Sequence, residues 1–191
     1  MRPIVLSAYG YCIVAGVCAI LNLLFMQTSF PSVLYIVQTL SLILFYCIFI
    51  IASPKGSGWR RAMIVLLLLK ISSVFVQRMC DQYAAALDNL TKINLMGLYQ
   101  LLLTLAYYVV LFYTAFRFTT YKDLFFVVSQ IAAVANLFFF LYPILYPMSI
   151  RINSDNYQLF YTIRSIVFST LGILTIYSIG LFFSKYVPKR Y

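Results

Sequence analysis

Lys70 is the only formal charge deep inside any apolar run of this chain, in the segment AMIVLLLLKISSVFVQRMC. A lone ammonium at that depth must find backbone carbonyls, hydroxyls and water, draw in a carboxylate, or give up its proton. Ser73 and Gln77 follow at i+3 and i+7, so on a helix they share its face and form a polar stripe leading away from it. Two chemistries suit such a group. It can hold an anionic ligand, or it can pair with a carboxylate on the helix of a partner subunit. Against both stands a plain packing role, in which Lys70 bonds to Ser, Gln and Tyr groups of neighbouring helices. Gln38, Gln100, Thr104 and Asn136, on other apolar runs, are the groups that a cavity centred on Lys70 would add. Their simpler reading, shared with Asn22 and Gln130, is interhelical hydrogen bonding.

What the chain lacks restricts it further. It has no His and no Glu, and its aspartates, Asp81, Asp88, Asp123 and Asp155, fall in predicted loops or at the ends of apolar runs. An enzyme of the membrane interior needs a base or a metal site, and nothing in these runs serves as either. The sequence therefore predicts a non-enzyme with no catalytic residues, no metal and no cofactor, and it disfavours carboxylate-relay proton pumping. Cys12, Cys18, Cys47 and Cys80 have no metal-binding spacing and read as small core residues, with Cys80 at a membrane edge. The net charge of +10 is spread through short loops and helix ends. It forms no basic stripe of the kind that binds nucleic acid, and it reads as a determinant of topology.

The elements that must position these residues are membrane helices. With 64% hydrophobic and 9% charged residues, and a mean hydropathy of +0.95, the chain departs far from a soluble domain, where roughly a quarter of residues are charged. Six apolar runs use most of its length: residues 4–26, 32–52, 62–79, 95–116, 124–145 and 161–183. Each approximates the roughly 20 residues that cross a bilayer as a helix. The expectation is one all-α domain of six transmembrane helices with no soluble domain. The first run is too long for the apolar centre of a signal peptide and is kept as a span. Its pairs Cys12 with Gly16 and Ala15 with Ala19, and the face of Ser165, Ser169 and Gly172 on the sixth run, predict close helix approach.

Between the runs, Ser53 to Gly58 is rich in helix breakers, and Trp59 with Arg60 and Arg61 marks an interface. Residues 81–94 form the longest polar segment, with a short interfacial helix expected around Tyr83 to Leu87. Thr120-Tyr121-Lys122-Asp123 reads as a capping box, and Tyr142-Pro143 with Tyr146-Pro147 predicts a kink or stop. With the N-terminus inside, Arg2, Lys55, Arg60, Arg61, Arg117, Lys122, Lys185, Lys189 and Arg190 lie on the inner side. Only Arg78, Lys92, Arg151 and Arg164 lie outside. This asymmetry predicts cytoplasmic termini and puts the weak glycosylation sequon at Asn89 on the outer face.

On these grounds the sequence favours a multi-pass protein of an endomembrane or the plasma membrane. Its partners would be the bilayer and other membrane-protein subunits, with an accessory, assembly or trafficking role in a larger complex. The alternative is a small transporter, channel or receptor whose cavity takes an organic anion or an amphiphile at Lys70.

Overall fold

The computed structural model describes residues 1–24, 30–85, 90–145 and 154–186, without the side chains of residues 23, 30–32, 77, 80–85, 90–98, 101, 140–145, 154–162, 164 and 165. Among the described residues every regular element is an α-helix: α1 Arg2–Leu24, α2 Phe30–Ala52, α3 Gly58–Ala85, α4 Leu90–Phe118, α5 Leu124–Leu145 and α6 Ser154–Ser184. Three stretches are long and apolar enough to cross a membrane: Arg2–Asn22, Val33–Ala52 and Ile166–Ser184. Leu102–Phe118 and Leu124–Phe139 are shorter apolar segments.

Each helix packs on its neighbours in the chain, and α1 packs on α6, so the six close into a ring. The contacts run in opposite senses along adjacent helices. On α1 and α6, Ala8 lies against Gly180, the Tyr9 ring sits 5.8 Å from that of Tyr177, and Cys12 Sγ donates to the Ile173 carbonyl at 3.6 Å. Adjacent helices are therefore antiparallel.

The outside of the ring is apolar: Ile13, Val17 and Ile20 on α1, Leu40, Leu44 and Ile51 on α2, and Ile131, Val134 and Phe138 on α5 are all exposed. Buried inside are polar groups, among them Thr39, Thr114, Ser129, Asn136, Thr175 and Ser178. This arrangement suits hydrocarbon, where an apolar exterior costs nothing and polar atoms need internal partners. Helical hydroxyls find those partners one turn back on their own helix. Thr114 donates to Val110 O at 2.6 Å, Thr175 to Leu171 O at 2.6 Å, and Ser129 to Phe126 O at 2.9 Å.

One end of the ring is filled by aromatic side chains around Trp59. Its ring centroid lies 6.0 Å from Phe49, 5.4 Å from Phe118, 5.7 Å from Phe125, and 5.6 and 5.1 Å from Phe182 and Phe183. Five helices thus meet on one indole. The sequence suggested an interfacial tryptophan, but the half-buried ring turns inward to plug the bundle. Gly58 makes room for it, since a Cβ there would fall 2.2 Å from Phe118 Cζ. The preceding turn needs its own glycine, Gly56, at φ 84°. Ser57 then caps α3 by accepting the Arg60 N–H at 3.2 Å.

Two local expectations change. The capping box is half formed: the Asp123 carboxylate accepts the Thr120 N–H and hydroxyl, each at 2.9 Å, but Thr120 does not return the bond. Instead α5 opens at Asp123, whose carbonyl accepts the Phe126 N–H at 3.0 Å. Residues 81–85 continue α3 without a break, in place of a separate interfacial helix. The described part of α5 ends at Leu145, the bound read from the sequence for the fifth run, and Tyr146-Pro147 lies outside the described residues.

Candidate functional site

Above the aromatic plug the ring surrounds a partly open cavity of about 360 Å³, lined among the described residues by α1, α2, α3, α4 and α6. It begins at the level of Tyr11, Leu42, Leu111 and Ile176 and extends past Asn22, Leu34 and Phe168, toward the end of the bundle opposite the plug. Lys70 and Ser73 enter it from α3, one helical turn apart, with Gln38 from α2 and Thr104 from α4. Of the seven residues that the sequence assigned to a site at Lys70, these four meet in one chamber.

Gln100 and Asn136 are not among its described lining residues. Gln100 stands behind Ser73, donating from Nε2 to Ser73 Oγ at 2.8 Å, and its own Oε1 is buried with no hydrogen-bond partner among the described residues. Asn136 is buried between α5 and α4, where its Nδ2 donates to the Thr104 carbonyl at 3.3 Å. It is an interhelical bridge one layer out from the cavity, since no described side chain of α5 is part of the lining. The Gln77 side chain and Asn89 lie outside the described residues.

Tyrosines that the sequence did not assign to the site build its floor and wall. Tyr11 stands next to the Gln38 amide, and Tyr107 and Tyr108 line the cavity from α4. Behind them the hydroxyls of Tyr46 and Tyr107 share a hydrogen bond between α2 and α4. A signal existed only for α4, where Gln100, Thr104 and Tyr107 or Tyr108 fall on one helical face. On α6, Ser169 and Gly172 open onto the cavity and, contrary to expectation, not onto a neighbouring helix.

Among the described residues no side chain hydrogen-bonds or ion-pairs with Lys70. Among the described residues no Asp lines the cavity. Asp123, the one aspartate with a described side chain, is engaged at the plug end, 2.5 Å from the Lys185 ammonium. That contact and the Thr120 N–H hold its carboxyl below the usual carboxylate range. The chamber therefore offers one lysine amine with no carboxylate beside it among the described residues, flanked by hydroxyls, amides and aromatic walls. Such a site fits a single negative charge on a body with apolar surface. Among the described residues no cluster of potential metal ligands is present. Comparison with protein-family models, with curated proteins and with solved structures finds no match.

Proposed function

We propose that this chain is a membrane-embedded carrier or receptor that takes an organic anion or anionic amphiphile into the cavity at Lys70. In this reading all six helices span the bilayer, with both termini cytoplasmic, in an endomembrane or the plasma membrane. The observation that carries it is Lys70, a lysine with no hydrogen-bond or ion-pair partner among the described residues that faces a cavity inside the ring. An intramembrane charge is costly enough to mark function, and here the groups around it are gathered from four other helices. The same geometry weighs against the accessory-subunit reading, since a partner's carboxylate would have to enter the ring to reach Lys70. No catalytic chemistry is part of this proposal.

The test is native mass spectrometry of the full chain, purified in mild detergent and in lipid nanodiscs, alongside Lys70→Gln. The expected outcome is an acidic small molecule retained by the wild type and lost from the variant. Its affinity should fall about 10- to 100-fold, the range for removing a charge-assisted hydrogen bond. A stoichiometric membrane protein contributing an intramembrane Asp or Glu, with no retained small molecule, would overturn the proposal and restore the subunit reading.

A further inference from the structure

Ser73 differs from the other hydrogen-bonded helical serines of the ring. Ser7, Ser41, Ser129, Ser178 and Ser184 each donate their hydroxyl hydrogen to a carbonyl three residues back. Ser73 accepts a hydrogen bond instead, from Gln100 Nε2 at 2.8 Å, and its own hydrogen has no acceptor among the described residues. The oxygen lone pairs are turned toward α4 by that amide, which leaves the hydrogen for the cavity that Ser73 lines. One helical turn away on the same face is the Lys70 ammonium, which has only hydrogens to give. Gln100 is itself held in a buried position, and its Oε1 has no hydrogen-bond partner among the described residues. Such a residue is expected where it orients something else.

Resting on the anion-binding reading above, we infer that Lys70 and Ser73 form a two-donor cradle for a carboxylate, with Gln100 the positioning residue that aims the Ser73 hydroxyl. A carboxylate accepts hydrogen bonds only and matches both donors with its two oxygens. Its single charge matches the one cation among the lining residues, whereas a phosphate monoester carries up to about two charges at neutral pH. Thr104 adds no competing donor, because its hydroxyl hydrogen is committed to the Gln100 carbonyl at 2.8 Å. The apolar remainder of the ligand lies against Leu69, Leu103 and Phe168. The ligand class is thus an apolar monocarboxylate.

The experiment is equilibrium binding of radiolabelled decanoate to the full chain in nanodiscs, with decanol and decyl phosphate as competitors. Wild type is expected to prefer decanoate over both. Ser73→Ala should lower decanoate affinity about tenfold, the loss of one hydrogen bond to a charged group, and leave decanol unchanged. Gln100→Leu should shrink the decanoate-to-decanol preference in the same direction. A residue with only a structural role would not alter that ratio. Ser73→Thr, which keeps the hydroxyl, should restore it. Should Lys70→Gln lose decanoate while Ser73→Ala and Gln100→Leu bind it as wild type does, the cradle is wrong and the anion site stands. A wild type that prefers decyl phosphate refutes the carboxylate assignment, and one that binds decanol as well as decanoate refutes both readings.

Discussion

Asp123 places three interactions on two oxygens, with Lys185 on Oδ1 and both Thr120 donors on Oδ2. It thereby ties the turn before α5 to the end of α6. Asp123→Asn keeps the shape and removes the charge. Because the Lys185 side chain is 60% exposed, water screens the pair and the expected loss is on the order of 1 kcal/mol. A lower midpoint of thermal unfolding in detergent at neutral pH would show it, and an unchanged midpoint would mean the clasp carries no stability. The sign with pH follows from the carboxyl being held below its usual range. Its contribution is complete above the unfolded Asp value of about 3.9 and disappears as pH falls through the depressed native value. Wild type should therefore lose more stability than Asp123→Asn between neutral and strongly acid pH. At this scale the sequence was readable where a residue is expensive in its setting. A lysine or glutamine in an apolar run calls for an explanation, and Gln38, Lys70, Ser73 and Thr104 do meet. Tyrosines do not announce themselves in that way, since one at a lipid interface and one in a cavity wall look alike in a single sequence. Tyr11, Tyr46 and Tyr108 were missed for that reason.

The helices pack at places that small-residue spacing indicated only in part. Gly16 and Gly172 looked like points of close approach, yet a Cβ on either meets nothing within 4 Å. The close contact is Gly180, where a Cβ would lie 3.0 Å from Ala8 Cβ, and no periodic pattern pointed to it. Four-residue spacing marks a face of a helix but not the neighbour that the face meets, and Gly172 faces the cavity. The structure orders the substitutions accordingly. Gly180→Leu should open the α1–α6 seam and cost about 1–3 kcal/mol, as overpacking does, while Gly16→Ala should be close to neutral. In a double-mutant cycle Ala8→Gly should recover part of the loss in Gly180→Ala. Additive effects there would place the contact elsewhere. Trp59 teaches the same lesson: its position next to Arg60 and Arg61 marked the end of a helix correctly. What could not be read was whether its ring turned to lipid or to Phe49, Phe118 and Phe183.

At the scale of the whole molecule, hydropathy separates helix from turn but is nearly silent on which helix meets which, because the ring is apolar on the outside and largely apolar within. Closure of α1 on α6, and with it the chamber, had no counterpart in the sequence. Once closed, the ring is polarised. The plug, the turn with Lys55 and Arg61, the turn with Lys122, and the Asp123–Lys185 clasp share one end, while the cavity extends toward the other. That first end carries most of the charges that bias the chain toward cytoplasmic termini. Combining the two extends the proposed reading to an orientation, in which the plug would face the cytoplasm and the chamber would be reached from the opposite side. Impermeant maleimide labelling tests this in sealed membrane vesicles of known orientation, using a background with Cys12, Cys18, Cys47 and Cys80 replaced by alanine. Single cysteines at Lys55 and Lys122, both exposed, should react only from the cytoplasmic side. Asn22→Cys, at the far end of the cavity lining, should react only from the other. Labelling of all three from one side would remove the one-sided arrangement. A clean reversal would keep the ring and its closed plug but turn the chamber toward the cytoplasm, which would make a carboxylate of cytoplasmic origin its occupant.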